Sequence, residues 1–413
     1  MLPKGWHRST LGDIARISSG GTPDRAKPEY WGGAVPWVTT GEIQFNTITD
    51  TVEKITEAGL KNSSAKLFPP GTLLMAMYGQ GKTRGQMAKL AIEAATNQNS
   101  AAILLNEEHE PDFYFQYLSS QYENIRDFGH SGGISHLNAG LLKQIPVPVA
   151  PKAEQRRIAH ILATWDQAIA AAHRVLSNSR KQKQVLIGSL VSARKATLEK
   201  QSNWEQSTLS QIATVAVSSV NKKSEGSERA VQLCNYTDVY YKDCIDSRIS
   251  FMQATASDSE FEKFALRKGD VIITKDSETA ADIAVAARVT ETVPNLVCGY
   301  HLAVIRPDLN LIDSVFLHSY FNLPKTKDYF ASNANGVTRF GLPLGAIQNA
   351  PITFPCIEEQ RKIGKIISSA ELVIVALVRD IELLTIQKQA LMAQLLTGKR
   401  RVHLPDVEVK AQV

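Results

Sequence analysis

Apolar and polar positions along this chain follow two regimes, and each regime occurs twice. Over the stretch from about Lys152 to about Thr197, Ile169, Ala172, Leu176, Ser179, Lys183, Leu186 and Leu190 keep alternating spacings of three and four. At an offset of 205 (374 − 169), Ile374, Leu377, Ile381, Leu384, Lys388, Leu391 and Leu395 keep the same register. Such a stripe is the seam of a coiled coil, because one face of each helix must meet a partner helix to leave water. The same seam position is a lysine in both stripes, Lys183 and Lys388, a polar insertion that costs stability and can fix register and orientation. Each stripe follows the same opening, Glu154-Gln155-Arg156-Arg157-Ile158 and Glu359-Gln360-Arg361-Lys362-Ile363. Two ordinary amphipathic helices in one core would also satisfy the spacing. Repetition of Glu-Gln-Arg, and of Lys183-Gln184 as Lys388-Gln389, favours the paired seam.

Outside these stripes the pattern is one of short apolar runs between turn signals such as Gly20-Gly21-Thr22-Pro23, Gly32-Gly33 and Pro69-Pro70-Gly71. Leu73 to Tyr78 reads as a buried strand, Ala101 to Leu105 as another, and Asp112 to Tyr122 as a helix. The third segment echoes the first. Trp204 to Leu209 repeats Trp6 to Leu11, Gly269-Asp270-Val271-Ile272 repeats Gly71-Thr72-Leu73-Leu74, Asp313 and Phe316 repeat Asp112 and Phe115, and Gly336-Val337-Thr338 repeats Gly133-Ile134-Ser135. Between these anchors the segments differ almost everywhere. The expected order is a domain at 1–150, a helix at 151–200, a domain at 201–355, a helix at 356–400 and a tail at 401–413. The first helix ends where the second domain begins, and the second starts where that domain ends. Helices packed along their length must therefore run antiparallel, returning the C-terminus towards the first domain. The predicted fold is α/β, a pseudo-two-fold arrangement of two repeated domains separated by two long antiparallel coiled-coil helices, each roughly 60 Å for 40 helical residues.

Composition narrows the class. With 413 residues and 43% hydrophobic content the chain can fold as two or three domains without covalent staples. Its four cysteines, Cys234, Cys244, Cys298 and Cys356, show no Cys-x-x-Cys spacing, so no disulfide framework or zinc site is indicated. The start has no signal-peptide core and no stretch approaches 18 uncharged apolar residues, which points to a cytoplasmic protein. Of the net charge of +5, residues 151–200 carry +7, ten Lys and Arg against Glu154, Asp166 and Glu199. A strip of that kind can lie beside a polyanion or form a solvated helix face.

Catalytic motifs are missing. Gly81-Lys82-Thr83 lacks the earlier glycine of a phosphate-binding loop, since position 76 is Ala76, and Gly79-Gln80-Gly81 lacks a dinucleotide fingerprint's third glycine. Phe68-Pro69-Pro70-Gly71 reverses the order of an amino-methyltransferase motif. No His-x-x-x-His spacing occurs, and Asp276 and Glu278 beside Lys275 do not complete a nuclease constellation. Binding features are easier to find. The loop after the first predicted strand offers Lys82, Thr83, Arg84 and Gln86, donors and acceptors suited to phosphates or base edges. Its counterpart in the repeat offers Lys275 and Ser277 with different hydrogen-bonding groups. A second pair of candidates is Ser135 with His136, and Thr338 with Arg339. Each of these segments is also compatible with a purely structural turn.

Taken together, the duplicated features resemble the DNA-specificity subunit of type I restriction and modification systems over nearly the whole chain. The residues that carry the resemblance are the two Trp-x-x-x-x-Leu openings, Gly20-Gly21-Thr22-Pro23 with Tyr30-Trp31 and Pro36-Trp37-Val38, and Asn97-Gln98. To these are added the junctions from Pro151 to Arg156 and from Pro355 to Arg361, and the ending Leu395-Leu396-Thr397-Gly398-Lys399-Arg400. The resemblance implies a subunit without enzyme activity, metal or cofactor of its own, whose two target-recognition domains each read half of an interrupted, asymmetric sequence in double-stranded DNA. The helices would act as a ruler, and their faces outside the seam would dock two modification subunits that use S-adenosylmethionine. Through these it would meet restriction subunits that use ATP and Mg. Adenine flipping and methyl transfer would belong to the partners. The second domain lacks the Gly-Gly-Thr-Pro and Trp-Val signatures of the first. Three other readings stay open: a related system without a motor subunit, a coiled-coil scaffold that binds only protein, and an enzyme in its own right.

Overall fold

The computed structural model describes residues 2–79, 81–128, 136–192 and 204–404. It divides into two units, Met1–His173 with Asp380–Val413, and Arg174–Arg379. Two helices of 39 residues, Lys152–Leu190 and Ile357–Leu395, each contribute one end to each unit. Their bounds keep the 205-residue offset of the sequence repeat. The first helix stops at Leu190 rather than near Thr197, with Val191 and Ser192 already turning away. The two units divide within the long helices, at 173/174 and 379/380, and residues 193–203 lie outside the described ones.

Within each unit the same sheet is built from equivalent strands. In the first unit its order is Ala15–Ser19, Ser100–Leu105, Leu73–Ala76, Met87–Leu90, Asn46–Ile48; in the second it is Ala213–Val217, Leu302–Pro307, Val271–Thr274, Ala286–Val289, Cys244–Ile245. Equal backbone hydrogen bonds start both domains: Leu11 N–H donates to Ile145 O, and Leu209 N–H to Ala350 O, each at 2.9 Å. Central strands covered on both faces read as unbroken apolar runs, which explains Leu73–Ala76 and Val271–Thr274, both buried throughout. The first strand is shorter than its apolar run suggested. It ends at Ala76, because Met77 turns to bond Asn99 and Leu137 and Tyr78 emerges at the surface.

The ends of the long helices belong to the domain cores. In the first unit Ile158, Ala159 and Leu162 from one helix and Met392, Leu395 and Leu396 from the other pack with Trp6, Leu11 and Phe113. In the second unit Ile187, Val191, Ile363 and Ile367 take the equivalent places beside Leu209 and Phe316. The seam therefore passes into a domain core at its ends, and the spacing of three and four had reached these ends at Leu190 and Leu395 but not at Ile158, Leu162, Ile363 or Ile367. All fourteen seam positions, from Ile169 to Leu190 and from Ile374 to Leu395, are buried or half-buried.

The seam lysines are paired within their own units. Lys388 Nζ donates to Asp166 Oδ1 at 2.6 Å, and Gln116 Nε2 donates to the other oxygen of Asp166 at 2.7 Å. Lys183 Nζ sits 2.8 Å from Asp243 Oδ2 and 3.2 Å from Glu371 Oε1, and Arg288 also reaches Glu371. Asp166 and Glu371 are themselves separated by the repeat offset of 205, so one crossed lysine–acid pair recurs in both halves. Burial alone would lower the Lys183 pKa, but Asp243 and Glu371 outweigh it and hold the ammonium above its usual range.

Glu-Gln-Arg acts as a latch between helix and domain. Gln155, fully buried, donates to Ala150 O at 2.7 Å and accepts from Glu110 N–H at 2.8 Å. Gln360 donates to Pro355 O at 2.8 Å and Leu311 O at 3.0 Å, and accepts from Asp313 N–H at 2.8 Å. Glu154 receives Trp6 Nε1–H at 3.2 Å and pairs with Arg401, which also donates to Lys4 O. The C-terminal residues thus return to the first domain, where Gly398 adopts φ +72° and a Cβ would come within 2.6 Å of Pro3. Glu154, Gln155 and Gln360, expected among residues that serve the helices or their partners, are covered by their own domains, whereas Arg156 and Arg361 remain exposed. Gln360→Ala should cost about 1–3 kcal/mol, the penalty for stranding buried backbone groups; thermal unfolding against the wild type measures it.

The second unit also holds a buried histidine. His318 lies near Asp243, Glu371, Arg288 and Lys183, and its Nε2 is 3.2 Å from Ala286 O. Burial pushes its pKa down against the opposing pull of the two acids. A depressed histidine contributes stability that is complete above the unfolded value of about 6.5 and is lost as pH falls from there towards the folded value. The second unit should lose up to about 1.4 kcal/mol per pH unit over that window. Melting temperatures of wild type and His318→Gln between pH 7.5 and 5 should converge as the pH falls.

Candidate nucleic-acid interface

In both units the strand that follows the repeated Gly turn (Gly71, Gly269) ends in the same backbone frame, and this frame carries the candidate side chains. Met77 N–H donates to Asn99 O at 2.9 Å while Met77 O accepts Leu137 N–H at 3.0 Å. In the repeat, Lys275 N–H donates to His301 O at 2.9 Å while Lys275 O accepts Leu342 N–H at 2.8 Å. The frames coincide and the side chains differ: Met77 and Tyr78 stand where the second unit has Lys275 and Asp276.

In the first unit the frame gathers aromatic and basic groups. The Tyr78 ring stacks on His136, with centroids 4.8 Å apart and 11° between planes. The loop from Gly81 to Gln86 is held from behind, Arg126 Nη2 donating to Gly81 O at 2.7 Å and Tyr122 Oη donating to Lys82 O. Gly79, Gly81 and Gly85 all adopt positive φ, the conformation for which glycine is suited. Lys82 is exposed, and Thr83, Gln86 and His136 are half-buried. Arg84 departs from expectation. At 7% exposure it is packed beneath the loop rather than offered at its surface. Ser135 lies outside the described residues.

In the second unit the segment expected to be a free loop is partly a strand. Asp276–Ser277 pairs antiparallel with Phe340–Gly341, which joins the two candidate segments into one patch. Asn335 and Gly341 exchange two backbone hydrogen bonds of 2.9 Å and close a hairpin whose tip exposes Val337, Thr338 and Arg339. Gly336 is required there. Its φ is +144°, and a Cβ would stand 1.9 Å from Arg339 O. Ser277, expected to face outward, is 7% exposed and accepts Thr279 N–H at 3.3 Å, so it builds the turn. Lys275 is held at its base. Its Nζ donates to Asp276 Oδ2 at 2.9 Å, and His301 Nδ1 lies 2.5 Å from the same oxygen.

Tyr78, Tyr122, Arg126, Asp276 as a partner, Tyr300 and His301 were not singled out by sequence. Tyr300 and His301 occupy the entry to Leu302–Pro307 that Asn99 occupies before Ser100–Leu105, so aligning the repeats strand by strand would have located them.

Among the described residues the arrangement reads as a set of donors and rings presented by two matching backbone frames. The model of the type I restriction modification DNA specificity domain matches residues 3–178 and again 201–383. The MjaIX specificity subunit of Methanocaldococcus jannaschii is 28% identical over 211 residues, 49% of this chain and 44% of that protein. The EcoR124I/EcoR124II specificity subunit of Escherichia coli is 27% identical over 161 residues, 38% of this chain and 40% of that protein. In these two alignments the chain spans less than half of its relatives' length. The MjaVIII specificity subunit of Methanocaldococcus jannaschii aligns at 20% identity over 97% of this chain and 94% of its own. Among solved structures, the S subunit of a type I restriction-modification system from M. genitalium matches in fold with TM-score 0.55, 17% identity and 96% of each chain. A chain from a structural study of assembly and conformational transition in the type I R-M system matches with TM-score 0.61, 16% identity, 97% of this chain and 100% of the other. Matched in both of its repeats, the chain belongs to the type I restriction modification DNA specificity family.

Proposed function

We propose that this chain is the sequence-reading subunit of a type I restriction-modification complex, reading a bipartite, asymmetric duplex target and leaving methyl transfer and cleavage to its partners. The observation that carries this reading is the coincidence of the Met77 and Lys275 backbone frames under unlike side chains. Equal frames suit the dyad of duplex DNA, and unlike side chains give each half a different sequence. Phosphates would be met by exposed basic groups such as Lys82 and Arg339, which gives salt-dependent affinity, while groups on the frames select bases. The two long helices would set the gap between half-sites. Their outer faces, where Ile366, Leu372 and Val373 stand exposed, would receive two modification subunits. Those partners would bring S-adenosylmethionine, and restriction subunits ATP and Mg. Mapping methylated adenines in a host with and without this gene should reveal one interrupted motif that depends on it. Methylation unchanged by deletion, with no duplex protected by the assembled complex, would favour a protein-only scaffold.

A further inference from the structure

We infer that Lys275, Asp276 and His301 form a clamp that reads a guanine in the second half-site, with Lys275 donating to the base and Asp276 as the positioning residue; this rests on the DNA-reading role proposed above. Three independent observations meet at this place. The first is the shared acceptor: Asp276 Oδ2 takes Lys275 Nζ at 2.9 Å and His301 Nδ1 at 2.5 Å. The second is backbone strain. His301 adopts φ +70°, a left-handed conformation that a non-glycine residue keeps only when its surroundings impose it, and such residues gather at functional sites. The third is exposure: these three side chains are one-fifth to one-quarter exposed, with Tyr300 at 40% beside them and the Val337–Arg339 tip adjoining.

The chemistry follows from donor counts. Burial would raise the Asp276 carboxyl, but hydrogen bonds from Lys275 and His301 outweigh it and hold it below its usual range, so it stays ionised and only accepts. His301 therefore carries its proton on Nδ1. The Lys275 ammonium gives one proton to Asp276 and keeps two others, which suits the O6 and N7 acceptors of guanine in the major groove. When it carries no proton, Nε2 of His301 can accept the N4 amino proton of the paired cytosine. A lysine pinned by a carboxylate has lost most of its rotamer freedom, and a fixed donor discriminates between bases where a free one mainly attracts phosphate. The same arrangement explains why Asp276 and Glu278 beside Lys275 form no nuclease site: the carboxylate is occupied in orienting two donors.

The test uses the complex assembled with its modification subunits, a library of duplexes varied at each target position, and the variants Lys275→Gln, Lys275→Arg, Asp276→Asn and His301→Ala. Lys275→Gln and Asp276→Asn should each relax preference at one G·C position of the half-site read by the second domain, by roughly tenfold or more. The first half-site should be unchanged, and Lys275→Arg should retain the guanine preference. Uniform weakening across all bases, or relaxation at a position that is not G·C, overturns the clamp. Should Asp276→Asn fail to fold, Lys275→Gln on the one-quarter-exposed side chain decides alone. A wild-type complex that prefers no sequence at any position instead overturns the DNA-reading role itself.

Discussion

Replacing residues 1–150 by the corresponding domain of a relative should change one half of the methylated sequence and leave the other half intact. The physical basis is the way the domain is attached. Gln155 holds the first domain through Glu110 N–H and Ala150 O, and Gln360 holds the second through Asp313 N–H, Leu311 O and Pro355 O. Every one of those partners is a main-chain group, which any domain of this fold supplies whatever its side chains. The core contacts made by Ile158 and Leu162 need only an apolar pocket of similar volume, for which hydrophobic swaps cost little. Sequencing of methylated sites in a host carrying the chimera reads the outcome directly. Alteration of both halves would mean that the domains are coupled beyond their latches.

A second large effect is expected from shortening the helices. Deleting 170–176 and 378–384 removes one heptad from each, preserves the seam phase and leaves Lys388–Asp166 and Lys183–Glu371 in place. Seven helical residues rise about 10 Å, roughly three base pairs of duplex if the whole rise is transmitted. The unspecified gap of the methylated motif should shorten by up to about that many base pairs. An unchanged gap in a variant that still melts cooperatively would remove the helices from the role of ruler.

Much of the architecture was legible because it was written twice. A single stripe such as Ile169 to Leu190 is compatible with several folds, but its recurrence with the same lysine and the same Glu-Gln-Arg opening leaves few. Helix ends were less legible. Leu190 terminates its helix by docking in a domain core, a tertiary effect that heptad spacing does not record. The candidate segments were legible as polar, glycine-rich stretches, but the facing of their side chains was not. Glycine and polar composition located the loops near Lys82 and Lys275, but whether a side chain faces outward depends on pairings distant in sequence. Ser277 turned inward because its strand pairs with Phe340–Gly341, and His301 came to Asp276 through the strand order. Arg84 was misjudged for the same reason, its burial being set by the packing of the whole loop.

The crossed pairs Lys183–Glu371 and Lys388–Asp166 have a consequence for how such a chain can change over generations. Each lysine is matched by an acid carried in the opposite half of the chain, at the position equivalent to the acid in its own half. Loss of Lys388 takes from Asp166, encoded some two hundred codons away, its ammonium partner and leaves it the Gln116 amide, whereas Glu371 keeps Arg288 when Lys183 is lost. The two helix-encoding stretches are therefore bound to be inherited as a matched set. The domain-encoding stretches meet Gln155 and Gln360 through main-chain atoms, so a replacement domain must supply, beyond those latches, only a few side-chain partners such as Gln116, Asp243 and Arg288.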